Sequence, residues 1–153
     1  MRRRFLAVTV AALAATAMAG CGDSHDKWTD GRPKTVSVEG IVTYNGKPVA
    51  GAQINFVPGS PSDSAAYAVS QADGKFALTT FQTGDGAPPG SYKVTVNKKS
   101  VETTPNPNDP SGPPLGSKEV SFLPEKYGSV STTMIEVDVP ETGTKDVILE
   151  LKD

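Results

Sequence analysis

The sequence predicts an all-β protein, built as a seven-stranded antiparallel β-sandwich. Apolar and polar residues alternate along several short segments, and turn dipeptides such as Asn-Gly and Asp-Gly separate these segments. No segment carries the apolar period of about 3.6 residues that indicates a helix. Alternation with a period of two turns one side of each strand toward a core, and a series of short strands with turns between them is typical of two sheets packed face to face.

The first half of the predicted sandwich holds four strands. Residues 35–44 alternate and are rich in Val and Thr, and Asn45–Gly46 then supplies the positive-φ residues of a tight hairpin turn. Residues 52–58 alternate through Ile and Phe and end at a proline, which cannot donate to a strand ladder. Residues 65–71 form a weaker third strand, and an Asp-Gly turn leads to the fourth strand, residues 75–81.

The second half holds three strands and one segment without strand character. Residues 92–98 alternate clearly, and so do residues 133–139 and 146–151. Residues 99–118 contain five prolines and almost no large apolar side chain. We therefore expect this proline-rich segment to be a disordered loop, serving either as a partner-binding element or as a spacer.

The alternation also predicts which side chains face the core. They are the large apolar residues at every second strand position, and in Tyr92 we expect a buried ring whose hydroxyl bonds to the backbone. The predicted inward residues are Val36, Val38, Val42, Tyr44, Ile54, Phe56, Phe76, Leu78, Tyr92, Val94, Val96, Ile135, Val137, Val139, Val147, Leu149 and Leu151.

Residues 1–20 predict an export signal. Arg2–Arg4 form a positive start, and the fourteen residues Phe5–Met18 carry no charge. A membrane-spanning helix needs roughly 20 apolar residues, so this run is too short to span. Its length and its basic flank are typical of a secretory signal peptide.

Cys21 is the only cysteine of the chain and directly follows this signal. Met18, Ala19 and Gly20 before it resemble a bacterial lipobox, in which an aliphatic residue and two small residues precede the cysteine. The resemblance implies that Cys21 is thioether-linked to diacylglycerol, that the signal is cut before it, and that its new amino group is acylated. Such an anchor would place the protein in the cell envelope, on the periplasmic or surface side. The alternative is an ordinary signal peptide cut nearby, which leaves an unpaired thiol.

The mature chain divides into a tether and one domain. Residues 21–34 are polar, with Gly and Pro, and predict a flexible lipid-to-domain tether, whereas residues 35–152 form the predicted β-domain. Loss of residues 1–20 removes three arginines, which leaves 12 basic and 17 acidic residues and a net charge of −5. This charge argues against a nucleic-acid partner, which needs clustered Lys and Arg.

Two sequence patterns carry a family resemblance over residues 35–152, apart from the proline-rich segment. The chain resembles small bacterial envelope lipoproteins whose domain is carboxypeptidase regulatory-like, with a transthyretin-like (prealbumin-like) sandwich. This resemblance implies a fold and no particular ligand. The residues of the first pattern are Gly40, Val42, Gly46, Pro48, Val49, Gly51 and Ala52, and those of the second are Asp73, Gly74, Phe76, Pro89, Gly90, Tyr92 and Val94.

The sequence offers little chemistry for catalysis or metal binding. His25 is the only histidine and lies in the predicted tether, where no pocket holds it for acid–base work. It has no partner at zinc-ligand spacing, and no Asp-rich calcium loop is present. We therefore expect no catalytic residue, no metal and no cofactor.

Two functions are favoured, and they differ in the kind of partner; hydrolysis of an envelope substrate is the third. The first is a structural or protein-interaction module anchored to the membrane through the lipid on Cys21. The alternative is a carbohydrate-binding domain, because glycan sites use exposed aromatic rings and Tyr67, Phe81 and Tyr127 are candidates. Alternation places Tyr67 and Phe81 on outward faces. The partner is thus an unknown envelope protein or an envelope glycan.

Overall fold

The computed structural model of the chain describes residues 31–153, of which Pro33–Asp153 form one compact unit. Four sequence predictions lie outside the described residues: the signal peptide 1–20, lipidation at Cys21, the role of His25 and most of the tether 21–34.

Strands dominate the described residues, which contain no α-helix, so the all-β prediction is confirmed. Ten strands are present within residues 31–153 instead of the seven predicted for the domain, together with one short 3-10 helix, Glu125–Tyr127. The strands are β1 Val38–Tyr44, β2 Lys47–Pro48, β3 Gln53–Pro58, β4 Ala66–Val69, β5 Lys75–Ala77, β6 Gly90–Asn97, β7 Lys99–Thr104, β8 Gly116–Ser121, β9 Glu136–Val139 and β10 Thr144–Leu151.

The strands of residues 31–153 form three sheets. The first sheet has the order β10-β1-β2, with β5 also paired to β1, and the second has the order β4-β3-β6-β9. The remaining sheet consists of β7 and β8 alone. The pairing of β1 with β10 is parallel, with Ile41 opposite Ile148, so the prediction of a wholly antiparallel sandwich is wrong at this pair. The two strands lie far apart in the sequence, and no hairpin turn forces them to run in opposite directions.

The two larger sheets share one apolar core. Of the seventeen predicted inward residues thirteen are buried, and Val36, Tyr44, Ile135 and Val137 are partly buried and packed against the others. The ring centroid of Phe56 on β3 lies 6.5 Å from that of Phe76 on β5 and 5.8 Å from that of Tyr92 on β6. The Tyr92 hydroxyl donates to the Pro88 carbonyl oxygen at 2.8 Å, as predicted.

Close packing in the first sheet depends on a glycine in β1. Gly40 stands opposite both Phe76 and Val147. A Cβ at Gly40 would lie 2.7 Å from Cζ of Phe76 and 2.8 Å from Cβ of Val147. Any side chain at this position would therefore collide with the neighbours that β1 joins, since real Cβ contacts are longer.

The prediction of a disordered loop over residues 99–118 is wrong. Residues 99–104 and 116–121 pair as an antiparallel hairpin, and all five prolines fall between its strands. Two successive turns close the hairpin: Asp109 N–H donates to the Asn106 carbonyl at 3.2 Å, and Gly112 N–H donates to the Asp109 carbonyl at 3.1 Å. Each turn begins with Asn or Asp followed by proline, which is the preferred order in a type I turn. The five prolines therefore lie in the connection between the strands, and neither β7 nor β8 contains a proline.

Candidate functional site

The hairpin of β7 and β8 stands apart from the core, and we call its residues 99–121 the arm. Its two strands pair with each other, and none of the residues of either strand is buried. Val101 is 64% exposed, and Leu115 beside the closing turns is 66% exposed. A two-stranded hairpin that packs on no other sheet is only marginally stable by itself in water.

The arm has two faces, which differ in character. On one face Val120 stands opposite Ser100 and Lys118 stands opposite Glu102. The same ladder continues at the base, where Phe122 N–H donates to the Lys98 carbonyl oxygen at 2.9 Å. The Phe122 ring is half exposed, and the Lys98 Nζ lies 5.4 Å from its centroid. This face therefore carries both apolar and charged side chains.

The other face of the arm carries an ion pair. Lys99 Nζ lies 2.7 Å from Oε1 of Glu119, and this hydrogen bond together with its charge raises the pKa of Lys99. Both side chains are at least half exposed, so the pair contributes little to stability.

A polar cleft of about 350 Å³ lies between this face and the 3-10 helix region. Lys99, Glu119 and Ser121 line it from the arm, and Glu125 and Ser129 line it from the other side. One ammonium group, two carboxylates and two hydroxyls suit a polar, hydrogen-bonding ligand. The cleft residues include no aromatic ring on which a sugar could stack.

A second hollow, of about 400 Å³, lies on the outer face of the first sheet. Ile148, which is 71% exposed, and its opposite neighbour Ile41 form its apolar part. Lys145 at the rim is paired with Glu39 at 3.1 Å. The hollow is open to solvent, and the ammonium group at its rim already has a carboxylate partner.

Tyr67 lies on an outward face, as predicted, and is 55% exposed. It stands on β4 directly opposite Asn55 of β3, and on its other side its backbone exchanges hydrogen bonds with Thr79. The amide of Asn55 donates to Oγ1 of Thr95 at 3.3 Å. The Tyr67 ring is thus flanked by polar side chains on a regular sheet.

Phe81 lies in a tight loop that follows β5 and is only partly exposed. The Asp85 carboxylate accepts the backbone N–H groups of Thr80, Phe81 and Gln82 at 2.7 to 3.0 Å. Burial acts to raise the pKa of Asp85, but these three hydrogen bonds outweigh it and lower that pKa. Before this loop Thr79 already pairs with Tyr67 of β4, so β5 ends at Ala77 and not at the predicted residue 81.

Tyr127 lies apart from Tyr67 and Phe81 and contacts the residue that follows β10. Its hydroxyl donates to the carbonyl oxygen of Lys152 and accepts that residue's N–H, both at 3.0 Å. Its ring packs against the core cluster. The structure therefore brings Tyr67 next to the start of the Phe81 loop through Thr79, whereas Tyr127 holds the end of β10.

Sequence reasoning missed the arm and this contact of Tyr127. The signal for the arm was present, because residues 99–104 contain Val and Thr without proline. The contact of Tyr127 depends on the register of a distant strand, which no local pattern reveals.

Two further observations concern the described part of the chain. Within residues 31–153, no group of three or more His, Cys, Asp or Glu side chains is placed to hold a metal ion. In the same residues, no helix has the length and apolar character needed to cross a membrane.

Comparison with known proteins identifies no family for this chain. No family model matches it, and neither does any curated protein. Among solved structures, the crystal structure of a 9R-lipoxygenase from Cyanothece PCC8801 is similar at 11% sequence identity and a TM-score of 0.33. The similarity covers 78% of this chain and 16% of that chain. A TM-score this low carries no argument about fold or activity.

Proposed function

We propose that the chain is a non-catalytic, lipid-anchored module of the bacterial cell envelope that works by contact with another protein. The observation that carries this proposal is the arm. Its strands pair only with each other among the described strands, and Val101 and Leu115 expose most of their apolar surface. An ordered hairpin that has an unpaired strand edge is a template for contact with another chain.

The anchoring part of the proposal is supported by residues 1–21. A basic start, a short apolar run and two small residues before Cys21 are the features that export and lipidation use. In this proposal the lipid on Cys21 holds the domain at the membrane, on the periplasmic or surface side.

We also propose that the two larger sheets form a prealbumin-like sandwich of the carboxypeptidase regulatory-like kind. Seven strands remain when the two-residue strand β2 and the two arm strands are left out. The motif residues act structurally, which supports the resemblance: Gly40 gives space to Phe76, and Tyr92 bonds back to Pro88. In this view the arm is an insertion between β6 and β9.

The test compares the natural chain with a variant that lacks the arm. Residues 99–121 are replaced by Asn-Gly, so that the hydrogen bond from Phe122 N–H to the Lys98 carbonyl closes a two-residue hairpin. Both proteins are purified from solubilised envelopes, and proteins that copurify are identified. We expect a specific partner with the natural chain and its loss with the variant.

Thermal unfolding of the variant is the control, because the core contains no arm residue and the melting temperature is expected to stay within a few degrees. A partner retained equally by both proteins would contradict a role for the arm.

A carbohydrate-binding function is the second candidate, and the exposure of Tyr67 favours it. An exposed ring flanked by the amide of Asn55 and the hydroxyl of Thr79 offers both stacking and hydrogen bonds to a sugar. This function predicts that Tyr67→Ala loses retention on envelope polysaccharide, while Tyr67→Phe keeps most of it. Equal retention by the natural chain and both variants would exclude the Tyr67 face.

A further inference from the structure

β8 has an open edge along which another strand could pair. β8 pairs with β7 on one side and with no other described strand. Because Phe122 N–H bonds to Lys98, alternation along the strand directs the backbone groups of Ser117, Glu119 and Ser121 away from β7. An edge strand of six residues with unpaired backbone groups is a template for another strand.

We propose that this edge pairs with β8 of a second copy of the chain, antiparallel and centred on Val120. The two arms then form one four-stranded sheet with the order β7-β8-β8-β7. The inference rests on the proposed function, because both treat the arm as an interaction element. It goes further by naming a second copy of the chain as the partner of the β8 edge.

The charges along β8 argue against two registers, and the ends of the strand argue against two more. Centring on Ser117 or Ser121 would bring Glu119 opposite Leu115 or Leu123, which lie beyond the ends of β8. Residues that face each other across an antiparallel pair lie on the same side of the sheet, so a symmetric pairing is centred on a residue. Centring on Lys118 would set two ammonium groups against each other, and centring on Glu119 would set two carboxylates against each other. Centring on Val120 sets Val against Val and the ammonium of Lys118 against the Phe122 ring of the second copy.

This register also provides hydrogen-bond partners for the unpaired backbone groups of β8. Glu119 of one copy stands opposite Ser121 of the other, and the backbone groups of both point toward the open edge. Their N–H and carbonyl groups therefore bond across the interface, and the two Val120 residues form a non-hydrogen-bonded pair with Cα atoms about 4.5 Å apart. The half-exposed Phe122 ring thereby gains a second cation in addition to Lys98 of its own chain.

A disulfide tests the register directly. With Val120→Cys in the full chain, the separation of the paired residues fits a disulfide, and we expect a covalent dimer on non-reducing gels after mild oxidation with diamide. Val101→Cys is the matched control, because Val101 lies on β7 and points to the other face. In the proposed sheet three strand spacings, at least about 14 Å, separate its two copies, so that variant is expected to stay monomeric on the gel.

A second pair of variants tests the edge hydrogen bonds. Glu119→Pro removes an N–H that faces the open edge and leaves the ladder to β7 intact, whereas Glu119→Gln keeps that N–H. We expect Glu119→Pro to reduce cross-linking of Val120→Cys at least tenfold and Glu119→Gln to leave it unchanged. Both variants lose the ion pair with Lys99, so a difference between them reports the backbone bond.

Three outcomes would overturn the inference: no cross-link with Val120→Cys, equal cross-linking with Val101→Cys, or equal effects of Glu119→Pro and Glu119→Gln. If Val120→Cys fails to cross-link while removal of the arm still releases a different protein, self-pairing is wrong and the proposed interaction function stands. If neither cross-linking nor arm-dependent capture is seen, both are wrong.

Discussion

Single residues carry much of the local architecture, and Gly40 is the strongest case. We predict that Gly40→Ala destabilises the domain by about 3 kcal/mol, because the added Cβ would collide with Phe76 and Val147 in a packed sheet. Chemical denaturation measures this loss. Gly59→Ala is the control, since a Cβ at Gly59 would have no neighbour within 4 Å. Equal effects of the two substitutions would show that β1 can move to accept a side chain.

Asp85 makes stability depend on pH through its three backbone hydrogen bonds. Its pKa is lowered in the folded protein, so the carboxylate contributes stability above its ordinary pKa and loses it as the pH falls through the lowered value. We predict that Asp85→Asn costs about 1–2 kcal/mol at pH 7. The difference from the natural chain should shrink in acid. Asp146→Asn, at an exposed position, is the control. A difference that persists unchanged below the lowered pKa would contradict this assignment.

Elements depend on contacts that are distant in the sequence, as the end of β10 illustrates. The Tyr127 hydroxyl satisfies both backbone groups of Lys152 at an otherwise open edge. We predict that Tyr127→Phe increases hydrogen exchange at the Lys152 amide several-fold, measured by NMR, because that amide then faces water. Tyr67→Phe is the matched control. Unchanged exchange in Tyr127→Phe would show that another group protects this edge.

The strands that could be predicted are those whose pattern is local. Alternation found β1, β3, β4, β6, β9 and β10, since each of them turns every second residue toward the core. It placed the end of β5 too late, because Thr79 pairs with Tyr67 of β4 and the Asp85 carboxylate binds the backbone of the loop that follows. It missed the arm, because strands exposed on both faces lose the apolar alternation.

Over the whole molecule, the sequence predicted the buried core more completely than the candidate site. The inward residues were predictable because burial imposes a pattern on neighbours in the chain. The parallel pairing of β1 and β10 and the open edge of β8 were not predictable, because they depend on how distant segments meet. The sequence therefore predicted single rings, Tyr67 and Phe81, as the candidate site, whereas the structure favours a surface formed by the paired strands of the arm.

All the functional proposals share one requirement, which is that the domain is held at the envelope membrane. In the proposed anchor, each acyl chain on Cys21 would contribute roughly 0.8 kcal/mol for every buried CH₂ group, so several chains would give stable anchoring. Loss of the thiol should remove this attachment completely, while leaving the core of residues 33–153 folded.

The most direct measurement is therefore fractionation of cells that produce the full chain or its Cys21→Ala variant. We predict that the natural chain sediments with membranes and is released from them only by detergent. The variant is expected in the soluble fraction once signal peptidase has cleaved it, and any variant that stays with the membranes is expected to be uncleaved precursor. Mass spectrometry of the natural chain should show acyl groups on a fragment that begins at Cys21. A natural chain without acyl groups, or a processed variant that stays in the membrane fraction, would contradict the lipid-anchored account.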